Sequence, residues 1–330
     1  MNSPDEKIDE FKIWYDENQS DLNDSVNFLC DLVSTINCVE LVKGRVKNRD
    51  ECISKFKRKY LSGIKPGDND FFIGDFISDL IGIRAVCFYS EEVNLIRRSL
   101  RKYFIETGIN DKTGNLERTN DKFGYRSLHL QLILRKNLRN IPEANKFPDL
   151  KFELQIRTVI QDAWSILDHK IKYKKSIPQN LKRRINRLSA LFEIADDEFL
   201  NVKTEIEMEE RKIKNRLEKG GRIESNKPLD VFRFLFLALK YFPEYNFIEY
   251  KVDGFVQEIL QFKNDFTEGE LNEALEKYLS FADSIENKFK QNLNPYTKIR
   301  YCLYKADDVC FSEILSVFQK SNVNNIKKAV

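Results

Sequence analysis

The clearest period of two along the chain lies after Gly124. Leu128, Leu130, Leu132 and Leu134 share one parity, and Tyr125, Ser127, His129 and Gln131 share the other. This is the pattern of a strand with one buried face. The alternation recurs in KFELQIR (151–157), where Phe152, Leu154 and Ile156 turn inward and Glu153, Gln155 and Arg157 take the opposite face. DLIGIRAVCFY (79–89) reads as a buried strand. Asp79 and Arg84 have opposite parity within it, so either the strand begins after Asp79 or the backbone near Gly82 is irregular.

Spacings of three and four predict helices elsewhere. Residues 5–42 carry Phe11, Trp14, Tyr15, Val26, Leu29, Leu32, Val33 and Ile36 at such intervals. Residues 45–61 form an extended entry into a helix with Ile53, Phe56 and Tyr60 inward, closed by the turn residues of SGIKPGDND. EEVNLIRRSLRKYF (91–104) is an amphipathic helix, followed by the long polar loop GINDKTGNLERTNDKFG. A helix over 158–173 places Ile160, Ala163, Trp164, Leu167 and Ile171 on one stripe. Beyond Pro178 come a long charged helix (180–218), the linker GGRIESNKP (220–228), and helices over 229–325 with Pro243 and Pro295 as breakers. VFRFLFLALKYF is too short to span a bilayer and holds Arg233 and Lys240, so it reads as a core helix.

These elements describe an α/β (α+β) chain in three parts: an N-terminal helical segment (1–42), a mixed α/β domain (43–178) and a helical C-terminal region (179–330). A length of 330 residues fits more than one core. The net charge of +3 says little, but its distribution says more. Eight cations fall between Lys43 and Lys59 against Asp50 and Glu51, and a second basic run spans Lys170 to Arg187. Such runs are phosphate or nucleic-acid patches, or solvated helix faces. The six cysteines form no CxxC, and two histidines cannot complete a conventional zinc cluster, so zinc is not expected and the cysteines read as reduced thiols. The opening MNSPDEKIDEF has neither a basic n-region nor an apolar h-region; together these features give a cytoplasmic protein with no membrane partner.

No GxxxxGK[ST] or GxGxxG occurs, so any phosphates must be clamped by side chains. Arg45 and Lys47 lie on one side of an extended entry, and Lys55 and Lys59 are a helical turn apart. Cations converging there would neutralise charge in phosphoryl transfer; the alternative is a solvated basic helix. Asp79 and Glu153 are acids at or within apolar strands, and a carboxylate there is costly unless it is paired or metal-bound. Two carboxylates from neighbouring strands suit Mg²⁺. The alternative is a salt bridge from Glu153 to Arg84 or Arg157. Tyr125 offers a flat face to a nucleobase and His129 a donor near phosphate; the alternatives are an edge aromatic and a satisfied strand histidine.

Taken in order, GRVKNRDECISKFKRK, DLIGIR, FGYRSLH, FELQIRT and QDAWSILDHKIKYK resemble the synthetase domain of the RelA/SpoT family, over roughly residues 43–175. The resemblance implies a nucleotidyltransferase-like mixed sheet flanked by helices. It also implies an ATP-dependent pyrophosphotransferase that modifies a ribose 3′-hydroxyl and releases AMP. By position in these motifs, Asp79 matches the Mg²⁺-binding acid, and Glu153 the acid that binds metal and activates the attacking hydroxyl. Arg45, Lys47, Lys55 and Arg84 match the ATP-clamping cations, which Lys59 joins from its place one turn beyond Lys55. Tyr125 matches the tyrosine stacked on the acceptor guanine and His129 the histidine near the acceptor phosphates. Lys122, Gln155 and Arg157 complete the acceptor side.

Two residues depart from the pattern. Phe123 stands where guanosine-accepting members often have a small polar residue, and Glu51 where a serine is common. The histidine–aspartate metal motif of the bifunctional enzymes is missing, which makes the chain a synthetase without a hydrolase half. The expected function is synthesis of (p)ppGpp from ATP and GDP or GTP. Its competitors are pyrophosphorylation of the 3′-terminal adenosine of tRNA, as in toxic relatives, and a non-catalytic nucleotide-binding regulator. The helical C-terminal region carries no chemical motif; it is an extension that joins copies of the chain into a homo-oligomer, or a regulatory domain.

Overall fold

The computed structural model describes residues 4–64, 70–111, 127–139, 141, 149–172 and 178–327. The chain divides into two compact units, Met1–Val202 and Lys203–Val330.

The first unit opens on helix α1 (Pro4–Ser34), which buries Phe11, Leu22, Val26, Leu29 and Val33. Strand β1 (Leu41–Val46) lies against it so closely that a Cβ on Gly44 would sit 2.4 Å from Val26 Cγ1 and 2.6 Å from Cys30 Sγ. Helix α2 (Arg49–Lys59) starts at Asn48, whose side-chain oxygen accepts from the Asp50 and Glu51 amides. Acids in its first turn and Lys57, Arg58 and Lys59 in its last both complement the helix dipole. After the short helix α3 (Ile73–Phe76) come β2 (Ile81–Cys87), α4 (Ser90–Leu100), β3 (Phe104–Asp111), β4 (Leu128–Leu134), β5 (Phe152–Thr158), α5 (Val159–Lys172) and α6 (Gln179–Glu218).

The five strands form one mixed sheet in the order β1-β2-β5-β4-β3. The β2–β5 pair is parallel and the other three are antiparallel. Leu128, Leu130, Leu132 and Leu134 are all buried, as their parity predicts, and so are Phe152, Leu154 and Ile156. β2 begins at Ile81, which settles the parity conflict: Asp79 precedes the strand, and Gly82 is in regular register with both neighbours.

Several elements differ from their sequence reading. The helix expected to run to residue 104 ends at Leu100, and the start of the expected polar loop is strand β3, with a register shift between Glu106 and Gly108. The extended entry before α2 is a paired strand, β1. Of the apolar stripe of α5 only Trp164 is buried, packing on Phe192 with ring centroids 5.3 Å apart, whereas Leu167 and Ile171 are exposed. All six cysteines are free.

The second unit is helical: the end of α6, then α7 (Val231–Tyr241), α8 (Glu249–Phe262), α9 (Glu268–Phe289), α10 (Pro295–Ala306) and α11 (Val317–Lys327). Its own core includes Phe234, Phe236, Val256, Ile259, Leu275, Ile299, Tyr301 and Phe311. The fully buried Glu268 is held by Arg216 at 2.6 Å, whose guanidinium also lies over the Phe236 ring. Pro295 opens a helix rather than interrupting one, since the first helical position needs no amide hydrogen. No described helix is long and apolar enough to cross a membrane.

Candidate active site on the polar face of the sheet

Side chains one residue off the buried parity share the other face of the sheet, and the register sorts them into rows. One row runs Arg45, Gly82, Glu153, Gln131 and Gly108 across all five strands. The next runs Lys43, Arg84, Gln155 and His129. Neighbours in such rows stand within side-chain reach.

Glu153 is at the centre, on the middle strand. Its carboxylate accepts from Gln155 Nε2 at 2.6 Å and Gln131 Nε2 at 3.2 Å, and His129 Nδ1 lies 3.1 Å away. Burial pushes this carboxyl up, but the His129 and Gln155 hydrogen bonds and the charge of His129 outweigh it. Glu153 is held below the usual carboxylate range, even against the opposing charge of Asp79. It is therefore an anion at neutral pH.

Asp79 sits just before β2 and is gripped by two ammoniums. Lys47 Nζ reaches one oxygen at 2.6 Å and Lys55 Nζ the other at 2.7 Å. Lys47 is positioned by its backbone, whose amide donates to the Leu80 carbonyl and whose carbonyl accepts from the Tyr15 hydroxyl at 2.9 Å. Burial raises the Asp79 carboxyl, and the two lysines more than reverse that.

A second acid organises the arginines. Thr158 and Gln161 form a reciprocal cap at the start of α5: the Thr158 hydroxyl accepts from the Gln161 amide, and the Gln161 side chain accepts from the Thr158 amide. This sharp strand-to-helix turn brings Asp162 back over β5. Asp162 pairs with Arg84 at 2.9 Å and with Arg157 at 3.2 Å. Arg157, almost wholly buried, also donates to Ser127 Oγ, Ser165 Oγ and Gln155 Oε1. The acid that both arginines meet is thus Asp162, where the sequence offered Glu153 as their salt-bridge partner. Glu153, Gln155, Arg157, Asp162 and Arg84 form one connected polar network.

The structure brings together His129, Glu153, Gln155, Arg157 and Arg84, and separately Asp79, Lys47 and Lys55. Arg45 is exposed in the Glu153 row, and Lys59 is exposed on α2. Lys122, Phe123 and Tyr125 lie outside the described residues. Sequence reasoning missed Asp162 and Gln131. The parity shared with His129 is the signal that could have found Gln131; the TVIQ cap before Asp162 marks a helix start but not the arginines that Asp162 meets.

The donor set fits a hard divalent cation. Each carboxylate oxygen offers about two acceptor positions, so the contacts above leave capacity on both Asp79 and Glu153. Among the described residues no cluster of three or more histidines, cysteines or acids could hold a metal alone. Two carboxylates that repel one another suit an ion whose remaining ligands are water and phosphate.

The Asp79 cluster has a pH consequence. A carboxyl depressed in the folded state stabilises the fold fully above its unfolded value of about 3.9, and loses that contribution as pH falls through the folded value. In thermal melts, Asp79→Asn should be less stable than the parent at pH 7, with the gap narrowing as pH drops below about 4. A gap constant across that range would remove Asp79 as a charged partner of Lys47 and Lys55.

Residues 44–178 match the family model described as "Region found in RelA / SpoT proteins". The chain is 29% identical over 178 residues to the GTP pyrophosphokinase YwaC of Bacillus subtilis (strain 168), covering 53% of this chain and 79% of that protein. It is 26% identical over 173 residues to the GTP pyrophosphokinase YjbM of the same organism, covering 51% and 74% respectively. Among solved structures it is similar to small alarmone synthetase 1 from Bacillus subtilis, with 23% identity, a TM-score of 0.47, and coverage of 59% of this chain and 98% of that one. The matched span takes in β1 from Gly44 onward, the other four strands and both acids of the polar face, so the part of the chain similar to RelA/SpoT proteins is the part that builds this site.

Proposed function

We propose that the chain is a cytoplasmic pyrophosphotransferase that moves the β,γ-pyrophosphate of ATP to the ribose 3′-hydroxyl of GDP or GTP, making (p)ppGpp and releasing AMP. The observation that carries this reading is the ionised Glu153 at the centre of a cation-lined sheet face, with the charge of a second carboxylate, Asp79, acting on it. The names of the two curated relatives support the guanosine acceptor.

In the step itself, the 3′-oxygen forms a bond to the β-phosphorus of ATP, and the bond from that phosphorus to the α–β bridging oxygen breaks. AMP leaves with the electron pair, and the hydroxyl proton passes to the Glu153 carboxylate. Ionised Glu153 can accept that proton, and its depressed pKa makes it a weaker base than an ordinary glutamate. His129, Gln131 and Gln155 fix the direction of its oxygens. Lys47, Lys55, Arg45 and Arg84 oppose the negative charge of the reacting phosphates. Asp79 and Glu153 would hold Mg²⁺, which when bound neutralises phosphate charge and aligns the oxygens. The helical unit from Lys203 carries none of the residues this mechanism uses.

Exposed Lys57, Arg58 and Lys59 at the end of α2 favour a second reading, transfer to the 3′-terminal adenosine of tRNA. The test supplies purified chain with γ-labelled ATP and Mg²⁺, and in parallel GDP, GTP and bulk tRNA. Label in guanosine nucleotides is the expected result. Label in tRNA alone would replace the acceptor, and label in neither would end the transferase reading.

A further inference from the structure

Helix α6 lies beyond the residues matched to the family, yet one of its side chains reaches the turn that carries Asp162. Residues 185, 189, 192 and 196 fall on one face of α6 by their spacing. Ile185 and Ser189 are buried there, and Phe192 packs on Trp164 of α5. Asp196 is 3% exposed. A carboxylate is costly on such a face, where an apolar side chain would only pack. One of its oxygens accepts from Gln161 Nε2 at 3.0 Å.

Gln161 closes the strand-to-helix turn. Its amide donates to the Thr158 hydroxyl, and its side-chain Oε1 accepts from the Thr158 amide. With Oε1 committed to Thr158, the Nε2 end is left to face α6. A carboxylate, which accepts and does not donate, is the matching partner for it. Asp196 therefore pins the Gln161 side chain from outside the turn. The next residue along is Asp162, which meets Arg84 and Arg157. Arg157 continues to Gln155, and Gln155 to Glu153. A connected polar network thus leads from the middle of α6 to the carboxylate that takes the proton.

We propose that Asp196 is a positioning residue for pyrophosphate transfer: by holding Gln161 it sets the β5–α5 turn, and with it the placement of Asp162, Arg84 and Glu153. This rests on the transferase reading and adds that the activity depends on a helix outside the family-matched span. Asp196 touches no reacting atom; it acts through Gln161.

The test uses the full chain with Asp196→Ala, Asp196→Asn, Gln161→Ala, the double variant of Gln161→Ala with Asp196→Ala, and Ser189→Ala as a control. Ser189 is buried two turns from Asp196 on the same face, and its Oγ has no hydrogen-bond partner. Thermal melts are measured beside kcat and the KM for each substrate. Asp196→Ala should lower kcat about 10–100-fold, the scale of a misplacement of about 1 Å, while each KM moves less than about three-fold. Asp196→Asn still offers Gln161 an oxygen and should recover most of that loss. The double variant should be no slower than Gln161→Ala alone, because both changes break the same contact. Ser189→Ala should keep the parent's kcat. Asp196→Ala with kcat within about two-fold of the parent overturns the proposal and leaves the transferase reading standing. A double variant whose loss is the product of the two single losses overturns it as well, by separating Asp196 from Gln161. A parent chain that transfers no pyrophosphate overturns both.

Discussion

Replacing Glu153 with glutamine is expected to lower pyrophosphate transfer by about 10²–10⁴-fold, the usual contribution of a positioned general base. The amide cannot take the hydroxyl proton, and it offers a metal a neutral oxygen in place of an anionic one. The fold should survive, because the substitution keeps the shape of a half-buried side chain on a strand whose other face is intact. The amide oxygen can keep the contacts of Gln155 and His129, which fall on one carboxylate oxygen, and the amide nitrogen then faces the Gln131 Nε2 donor. A modest drop in melting temperature therefore accompanies the large drop in rate. Steady-state kinetics with circular dichroism melts separate the two, and activity within about ten-fold of the parent would remove Glu153 from proton transfer.

The largest stability effect is expected at Asp162, which the sequence did not single out. Asp162→Ala leaves the Arg84 and Arg157 guanidiniums facing one another without the carboxylate between them. Breaking a buried pair by deleting one partner costs about 3–5 kcal/mol, on the order of 10 °C in melting temperature for a domain of this size. Both partners are shielded here: the Asp162 side chain is 11% exposed and that of Arg157 5%. Activity should fall too, since Arg84 loses its anchor beside the Glu153 row. A double variant, Arg84→Ala with Asp162→Ala, should recover part of the lost stability by removing one of the repelling charges. A single variant that unfolds within about 1 kcal/mol of the parent would show that the arginines are held by their other contacts.

Asp162 also marks where the sequence stops being legible. The central strands can be read because one face of each is buried, and that burial writes a period of two: Leu128 to Leu134 on β4, and Phe152 to Ile156 on β5. The same parity, taken from the residues alone, puts His129, Glu153, Gln155 and Arg157 on a common face. The missed strands, β1 and β3, are the two edges of the sheet. Edge strands carry charge and bulges where inner strands carry apolar side chains, so LVKGRV and FIETGIND write no clean alternation. Asp79 stands off parity because it precedes its strand, a boundary of two residues that periodicity cannot resolve. Asp162 is illegible for a different reason. An acid in the first turn of a helix already satisfies the helix dipole, and nothing local says that two arginines from β2 and β5 lie beneath it.

The parallel pairing of β2 with β5 has a consequence for biosynthesis. Gly82 and Glu153 meet across about 70 residues of chain, so the centre of the sheet closes only after a long intervening stretch has been made. At roughly 5–20 residues per second, a ribosome takes on the order of 4–14 seconds to pass from β2 to β5. Through that interval β1 can cover one edge of the apolar strand Ile81–Cys87, but the other stays open to any passing strand. A nascent chain arrested before Phe152 has no assembled nucleotide site and a sticky edge in its place, so ribosome-associated chaperones should bind it most strongly in that window.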